Sequence, residues 1–296
     1  MPVTDPIPDW PGELISLGKY SVNVRSVPES RGEPALFVHG LAGSSRNWTD
    51  LMDLLSPQLA GAALDLPGSG DSPPRPDGRY SISALAQTVA TLIERQGRGP
   101  VHLLGNSMGG AVSLRVAARR PHLVRSLTLI SPALPDVRPR LDLVRFPLTS
   151  IPRLGNWLLD KYQTLPAERR VAATFATCYF DPAQVPAARF ATEVAELTRR
   201  DSLPYAQAAL IGYVRSLTTE SLRGGGLPAW REAAPVTVPT LVIYGSDDRL
   251  VSPRMAGRAA RAFRHGRIVV LPRTGHVAQM ERPAEVAAEV RVLLAV

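Results

Sequence analysis

Three side chains in this 296-residue sequence have the types and the chain order that acyl-transfer chemistry requires. Ser107 stands in the run VHLLGNSMGGAVSL, with Gly105 two residues before it and Gly109 and Gly110 after it. A serine hydroxyl is a weak nucleophile at neutral pH and needs a base, usually a histidine held in place by a carboxylate. A carboxylate and a histidine follow in the order serine, acid, base: Asp247 or Asp248 in TLVIYGSDDRLV, then His276 in PRTGH. On spacing alone either aspartate reaches the histidine, and Asp136 is a more distant third. A tetrahedral intermediate also needs N–H donors for its oxyanion. The expected donors are the backbone N–H of Met108, next to the nucleophile, and that of Leu41 in HGLAGSS.

The elements that must position these groups follow from hydrophobic pattern. Compact apolar runs at Ala35–His39, Leu59–Leu66, Val101–Gly105, Leu123–Ser131, Thr240–Gly245 and Arg267–Leu271 read as strands, the first of them buried on both faces. Glu13 to Val27 reads as two short strands broken near Gly18. Helical spacing separates the runs: Trp48, Leu51, Met52 and Leu55; a helix from Ser81 or Ser83 to Gly97; the helix entered after Ser107; Pro253–Arg264; and Pro283–Leu294. Such alternation predicts an α/β fold, a mostly parallel doubly wound sheet with helices on both faces.

In such a sheet, ligands gather at the carboxyl ends of the strands. Ser107 sits there, in a strand-to-helix turn whose glycines remove side chains that would clash. The helix after it aims its N-terminal N–H groups at the same spot. Of the five histidines, only His39 and His276 fall at that edge; His102 starts its strand, and His122 and His265 lie in helix-to-strand connections.

The segment 132–238 breaks the rhythm, with proline, arginine and helical patches such as LGNWLLDKY, RRVAATFATCYF and AARFATEVAELTRR. It is expected to be a helical cap inserted into a core made of 1–131 and 239–296, with Gly224–Gly226 as a hinge or loop. Trp157, Phe175, Tyr179, Phe180, Phe190 and Tyr205 are expected mainly in the core of that cap.

Composition narrows the function classes. Hydrophobic residues are 45% and charged residues 20%, as in ordinary globular chains. The net charge of +8 comes almost wholly from arginines spread along the chain, with Lys19 and Lys161 the only lysines. Without a basic run or a zinc or helix-turn-helix pattern, this implies no nucleic-acid partner. Cys178 is the only cysteine, which excludes an intrachain disulfide and reads as a buried small apolar residue. The acidic, proline-rich start MPVTDPIPDWPGE is no signal peptide, and no apolar run approaches the roughly 20 residues that span a bilayer. A cytoplasmic protein is expected. Oligomeric state is not legible.

Together, His39–Gly40, DLPGSGDS, GNSMGG, GSDDRLV and GHVAQMERP resemble the α/β-hydrolase superfamily over almost the whole chain. The resemblance implies a serine-nucleophile, capped member with no metal and no organic cofactor. Its G-x-x-D pattern favours Asp248 over Asp247, and its G-H-x-x-x-x-E-x-P pattern maps onto His276. Ser107 argues against the dehalogenases and epoxide hydrolases of this fold, whose nucleophile is an aspartate. The expected activity is hydrolysis of carboxylic esters through an acyl-enzyme, with a small-molecule substrate bound between core and cap. The alternative is a carbon–carbon bond hydrolase of aromatic ring-fission products, which GNSMGG and GHVAQ resemble. That class commonly has a glycine–proline-rich loop after HG and an aromatic residue after the histidine; here stand LAGSSRNW and Val277. A further class, a non-catalytic ligand-binding or signalling protein on the same fold, would carry the same three residues.

Overall fold

In the computed structural model, the described residues are 10–295 without 29, 137–147, 149–150, 152 and 223–226. Eight strands form one sheet: β1 (Gly12–Ser16), β2 (Ser21–Ser26), β3 (Glu33–Val38), β4 (Leu59–Leu64), β5 (Val101–Asn106), β6 (Val124–Ile130), β7 (Thr240–Gly245) and β8 (Gly266–Leu271). Their order across the sheet is β1-β2-β4-β3-β5-β6-β7-β8. The β1–β2 and β2–β4 pairs are antiparallel and the other five are parallel. The doubly wound reading of the sequence is therefore correct, with an antiparallel edge added.

The apolar runs alternate in space as a two-residue period requires. Leu36, Val38, Leu103, Val242 and Tyr244 face one layer, together with α2 (Ile82–Gln96), α3 (Met108–Arg119) and α9 (Met255–Ala262). Ala35, Phe37, Leu104, Leu241 and Ile243 face the other, with α1 (Thr49–Leu55) and α11 (Pro283–Leu294). Phe37 and Trp48 pack with tilted rings, 5.3 Å between ring centroids, both fully buried. Truncating either to alanine would cost about 3–5 kcal/mol. The boundaries of α2 follow local chemistry. The Ser81 side chain accepts from the Ala84 N–H, and Gly97 ends the helix in the left-handed region at φ 61°.

Between β6 and β7 the described residues are mainly helical: α4 (Leu154–Gln163), α5 (Ala167–Cys178), α6 (Ala187–Asp201), α7 (Ala206–Leu222) and α8 (Leu227–Arg231). The first three coincide with the helical patches read from sequence; α7 and α8 were not anticipated. Gly224–Gly226 lies outside the described residues. This segment is bolted to the sheet layers by buried polar groups. Arg115 of α3 pairs with Glu220 of α7 at 2.8 Å and with Glu232 after α8 at 3.0 Å. Arg189 of α6 pairs with Asp50 of α1. The buried Tyr213 hydroxyl donates to the Pro67 carbonyl at 2.5 Å. Phe175 and Tyr179 are buried with Val171 and Met280, and Phe190 packs beside them. Trp157 departs from expectation: it is exposed, with the Lys161 ammonium over its ring. Phe180 and Tyr205 are half-buried.

Candidate active site

Strand order fixes where a site can form. From β3 the chain crosses to β4 through α1 on one face; from β5 it crosses to β6 through α3 on the other. The two connections leave in opposite directions, so a crevice opens between the carboxyl ends of β3 and β5, the switch point of the sheet. Leu41 follows β3 and Ser107 follows β5, one on each side of that crevice.

Ser107 is the one half-open position in a run that is otherwise buried from Val101 to Ala117. Its backbone sits at φ 53° and ψ −117°, a region that costs a non-glycine residue about 1–3 kcal/mol. The surroundings hold it there. Its N–H donates to the Ile130 carbonyl at 3.0 Å, and its carbonyl accepts from Ala133 at 2.9 Å and Ala111 at 3.2 Å. The flanking glycines are needed for the turn itself. A Cβ on Gly105 would lie 2.4 Å from the Gly109 carbonyl oxygen, and one on Gly109 would lie 2.1 Å from the Val38 carbonyl oxygen. Those contacts let α3 begin immediately after the serine, with its N-terminus against the end of β3.

His276 and Asp248 meet as the sequence order requires. His276 Nδ1 lies 2.9 Å from Asp248 Oδ2, and both residues are buried. The other carboxylate oxygen accepts the N–H groups of Leu250 at 2.8 Å and Val251 at 2.9 Å. Burial pushes the Asp248 carboxyl up, but the facing His276 imidazole, helped by the Val251 N–H, outweighs it, and the group lies below its ordinary range. An ionised Asp248 accepts the Nδ1 proton, which leaves the Nε2 lone pair free to act as a base. Asp247 does not compete: its carboxylate is exposed and takes the Ser246 hydroxyl. Asp136 is engaged with Arg254 at 2.6 Å. The Ser107 and His276 side chains are not hydrogen-bonded to each other in this structure. Such contacts are often loose before substrate binds.

The loop after β3 is held by groups that motif reading assigned no role. His39 is buried, with Nδ1 2.7 Å from the Gly40 carbonyl oxygen and Nε2 accepting the Leu66 N–H at 2.9 Å. Burial lowers its pKa, which keeps the ring neutral in that arrangement. The Ala42 carbonyl accepts Arg200 of α6 at 2.7 Å. Ala42 itself has φ 59°. Leu41 is thus fixed between two tied carbonyls. Among the described residues, neither the Leu41 N–H nor the Met108 N–H has an acceptor. A Cβ on Gly40 would lie 3.1 Å from that of Ser107, so the loop passes close over the serine.

Two more side chains were missed. Asn106 occupies the variable place in G-x-S-x-G, and no spacing rule marks it. Its amide donates to the carbonyls of Ile130 and His276, both at 3.1 Å. Glu281 is the acid of G-H-x-x-x-x-E-x-P, so the sequence marked it without assigning a task. It lies in α10 (Ala278–Glu281) and accepts the Gly275 N–H at 2.6 Å. Cys178 contributes its carbonyl to the His276 N–H at 2.6 Å, while burial pushes its thiol up to about 12, so it supplies no thiolate at neutral pH. A separate cavity lined by Trp10, Val27, Asp53 and Ser56 lies at the opposite, amino edge of the sheet and contains none of these residues. Among the described residues no group of three or more potential metal ligands occurs, and no helix is long and apolar enough to cross a membrane.

Known proteins share this fold. The chain is 27% identical over 270 residues to the 2-(acetamidomethylene)succinate hydrolase of Mesorhizobium japonicum, covering 88% of this chain and 87% of that protein. It is 25% identical to Lipase 1 of Psychrobacter immobilis over 86% of this chain and 75% of that protein. The solved structure of 2-hydroxy-6-oxo-6-phenylhexa-2,4-dienoate hydrolase from Rhodococcus sp. strain RHA1 superposes with a TM-score of 0.77, at 19% identity, over 97% of this chain and 100% of that one. Residues 34–283 match the family model described as the alpha/beta hydrolase fold, and the chain belongs to the α/β-hydrolase family.

Proposed function

We propose that this protein hydrolyses carboxylic esters through a Ser107 acyl-enzyme. The observation that carries the reading is the buried Asp248–His276 hydrogen bond, placed at the sheet edge where Ser107 is held in a strained turn. Ser107 Oγ attacks the ester carbonyl while His276 Nε2 takes its proton. Asp248 keeps the imidazole in the Nδ1–H tautomer and stabilises its cationic form. The N–H groups of Leu41 and Met108, which have no other acceptor among the described residues, receive the oxyanion. The imidazolium then protonates the leaving alcohol, and a water activated by His276 releases the acid. No metal or organic cofactor takes part. The helical segment between β6 and β7 is the cap, and the substrate binds between it and the carboxyl edge of the sheet. Lipase 1, among the relatives, supports an ester substrate.

The test is intact-protein mass after incubation with a fluorophosphonate, beside Ser107→Ala. One adduct on the wild type and none on the variant is expected, followed by turnover of 4-nitrophenyl esters. Turnover of a ring-fission dienoate in preference to esters would transfer the reading to carbon–carbon hydrolysis. A folded protein that retains ligand, takes no adduct and turns nothing over would make it a binding protein.

A further inference from the structure

The backbone of His276 is gripped from the cap. Its N–H donates to the Cys178 carbonyl at 2.6 Å, and a Cβ on Gly275 would lie 2.3 Å from that same oxygen. The glycine before the histidine is therefore required by the approach of the end of α5. Arg249, next to Asp248, donates to the Ala176 carbonyl, and the Arg273 guanidinium lies 5.5 Å from the centre of the Phe180 ring. Residues 176–181 thus touch the acid loop and the histidine loop together.

Glu281 closes this arrangement. One carboxylate oxygen accepts the Gly275 N–H at 2.6 Å. The other accepts the Phe180 N–H at 2.8 Å and the Asp181 N–H at 3.4 Å. A single side chain joins the peptide unit just before His276 to the start of the segment after α5. All three partners are main-chain donors, so the acceptor must offer two oxygens and no hydrogen, which only a carboxylate does.

Resting on the esterase reading above, we infer that Glu281 is a positioning residue that sets the catalytic placement of His276 by clasping its loop to the cap. Removing the clasp frees the Gly275 N–H and lets the imidazole drift from the nucleophile. The loss then falls on the chemical step, whatever the length of the acyl chain.

The experiment compares wild type, Glu281→Ala and Glu281→Gln on 4-nitrophenyl acetate and 4-nitrophenyl octanoate, with thermal unfolding followed by circular dichroism. For Glu281→Ala, kcat is expected to fall about tenfold or more on both esters with KM within about twofold. Glutamine keeps one acceptor oxygen but turns an N–H₂ toward an N–H, so it recovers part of the loss. Unchanged kcat in a folded Glu281→Ala variant would overturn the inference. So would a rise in KM confined to the octanoate, which would reduce Glu281 to an anchor for the cap. An activity-free readout is the low-field proton resonance of the His276–Asp248 hydrogen bond. It is expected to weaken in Glu281→Ala, or in Glu281→Gln if the alanine variant does not fold. An unaltered resonance overturns the inference. If the wild type itself turns over no ester, the esterase reading fails, and this resonance still decides whether Glu281 positions the histidine.

Discussion

The side-chain amide of Asn106, the residue before Ser107, donates to the main-chain carbonyl of His276 at 3.1 Å. Ser107 and His276 are therefore set relative to each other by a neutral buried group, independently of any contact between their own side chains. Asn106→Ala removes this donor and the one to Ile130. We expect kcat on 4-nitrophenyl butyrate to fall about 10–100-fold, with the protein still folded, because small misplacements of a base are costly. Asn106→Asp presents an acceptor to two carbonyls and is expected to do no better. Wild-type kcat in either variant would show that the link is dispensable.

Asp248→Asn should preserve the fold and abolish efficient turnover. An asparagine facing Nδ1 no longer enforces the Nδ1–H tautomer, and losses on the order of 10⁴ in kcat accompany such a change. Asp247→Asn, whose carboxylate is exposed, is expected to retain activity within about twofold. Steady-state kinetics on one ester separates the two, and equal losses would reassign the acid.

The neutral His39 makes stability depend on pH. Its folded pKa lies below the ordinary histidine value of about 6.5 because burial disfavours the cation. Between those two values the unfolded chain binds a proton that the native protein does not, so stability falls as pH drops below about 6.5, down to the folded pKa. Melting temperatures from pH 8 to pH 5 should decline on the acid side. In His39→Gln the decline should be shallower, on a lower plateau, since the Leu66 and Gly40 contacts are weakened. An identical slope in the variant would place the titration elsewhere.

Two glycine-to-alanine changes are predicted to have opposite signs. At Gly109 the new methyl meets the Val38 and His39 carbonyl oxygens at 2.1 and 2.4 Å, so Gly109→Ala should destabilise by about 1–3 kcal/mol or fail to fold. Gly257 lies exposed within α9 with nothing closer than 4.0 Å to an added Cβ. Gly257→Ala should stabilise by roughly 0.5–1 kcal/mol, through helix propensity, and leave kcat unchanged. Urea unfolding measures both.

What the sequence reveals here tracks how local the cause is. The Ser81 cap, the Gly97 stop and the apolar runs of β5 and β7 are decided within a few residues, and they lie where the pattern puts them. The pairing of Asp248 with His276 follows from chain order and a family motif. Asn106, His39 and Glu281 escape because each acts on a main-chain group that is remote in sequence or shared by every residue type. A carbonyl or N–H leaves no mark on composition. Trp157 escapes for another reason: an aromatic at helical spacing predicts burial, but α4 turns that residue outward. The helix α7 was overlooked because its apolar and polar residues are mixed around its circumference, with Tyr213 and Ser216 both buried.

The positive φ at Ser107 also bears on the lineage of this protein. Glycine adopts that region without the strain a side chain incurs, so a Ser107→Gly chain would relieve the strain of this turn while losing the hydroxyl that the proposed acyl-enzyme needs. Mutation that cares only for folding runs toward the inert form. On the esterase reading, a serine at that torsion carries a folding cost that only turnover repays, and the same single dihedral would sort working from relic copies among descendants of this chain.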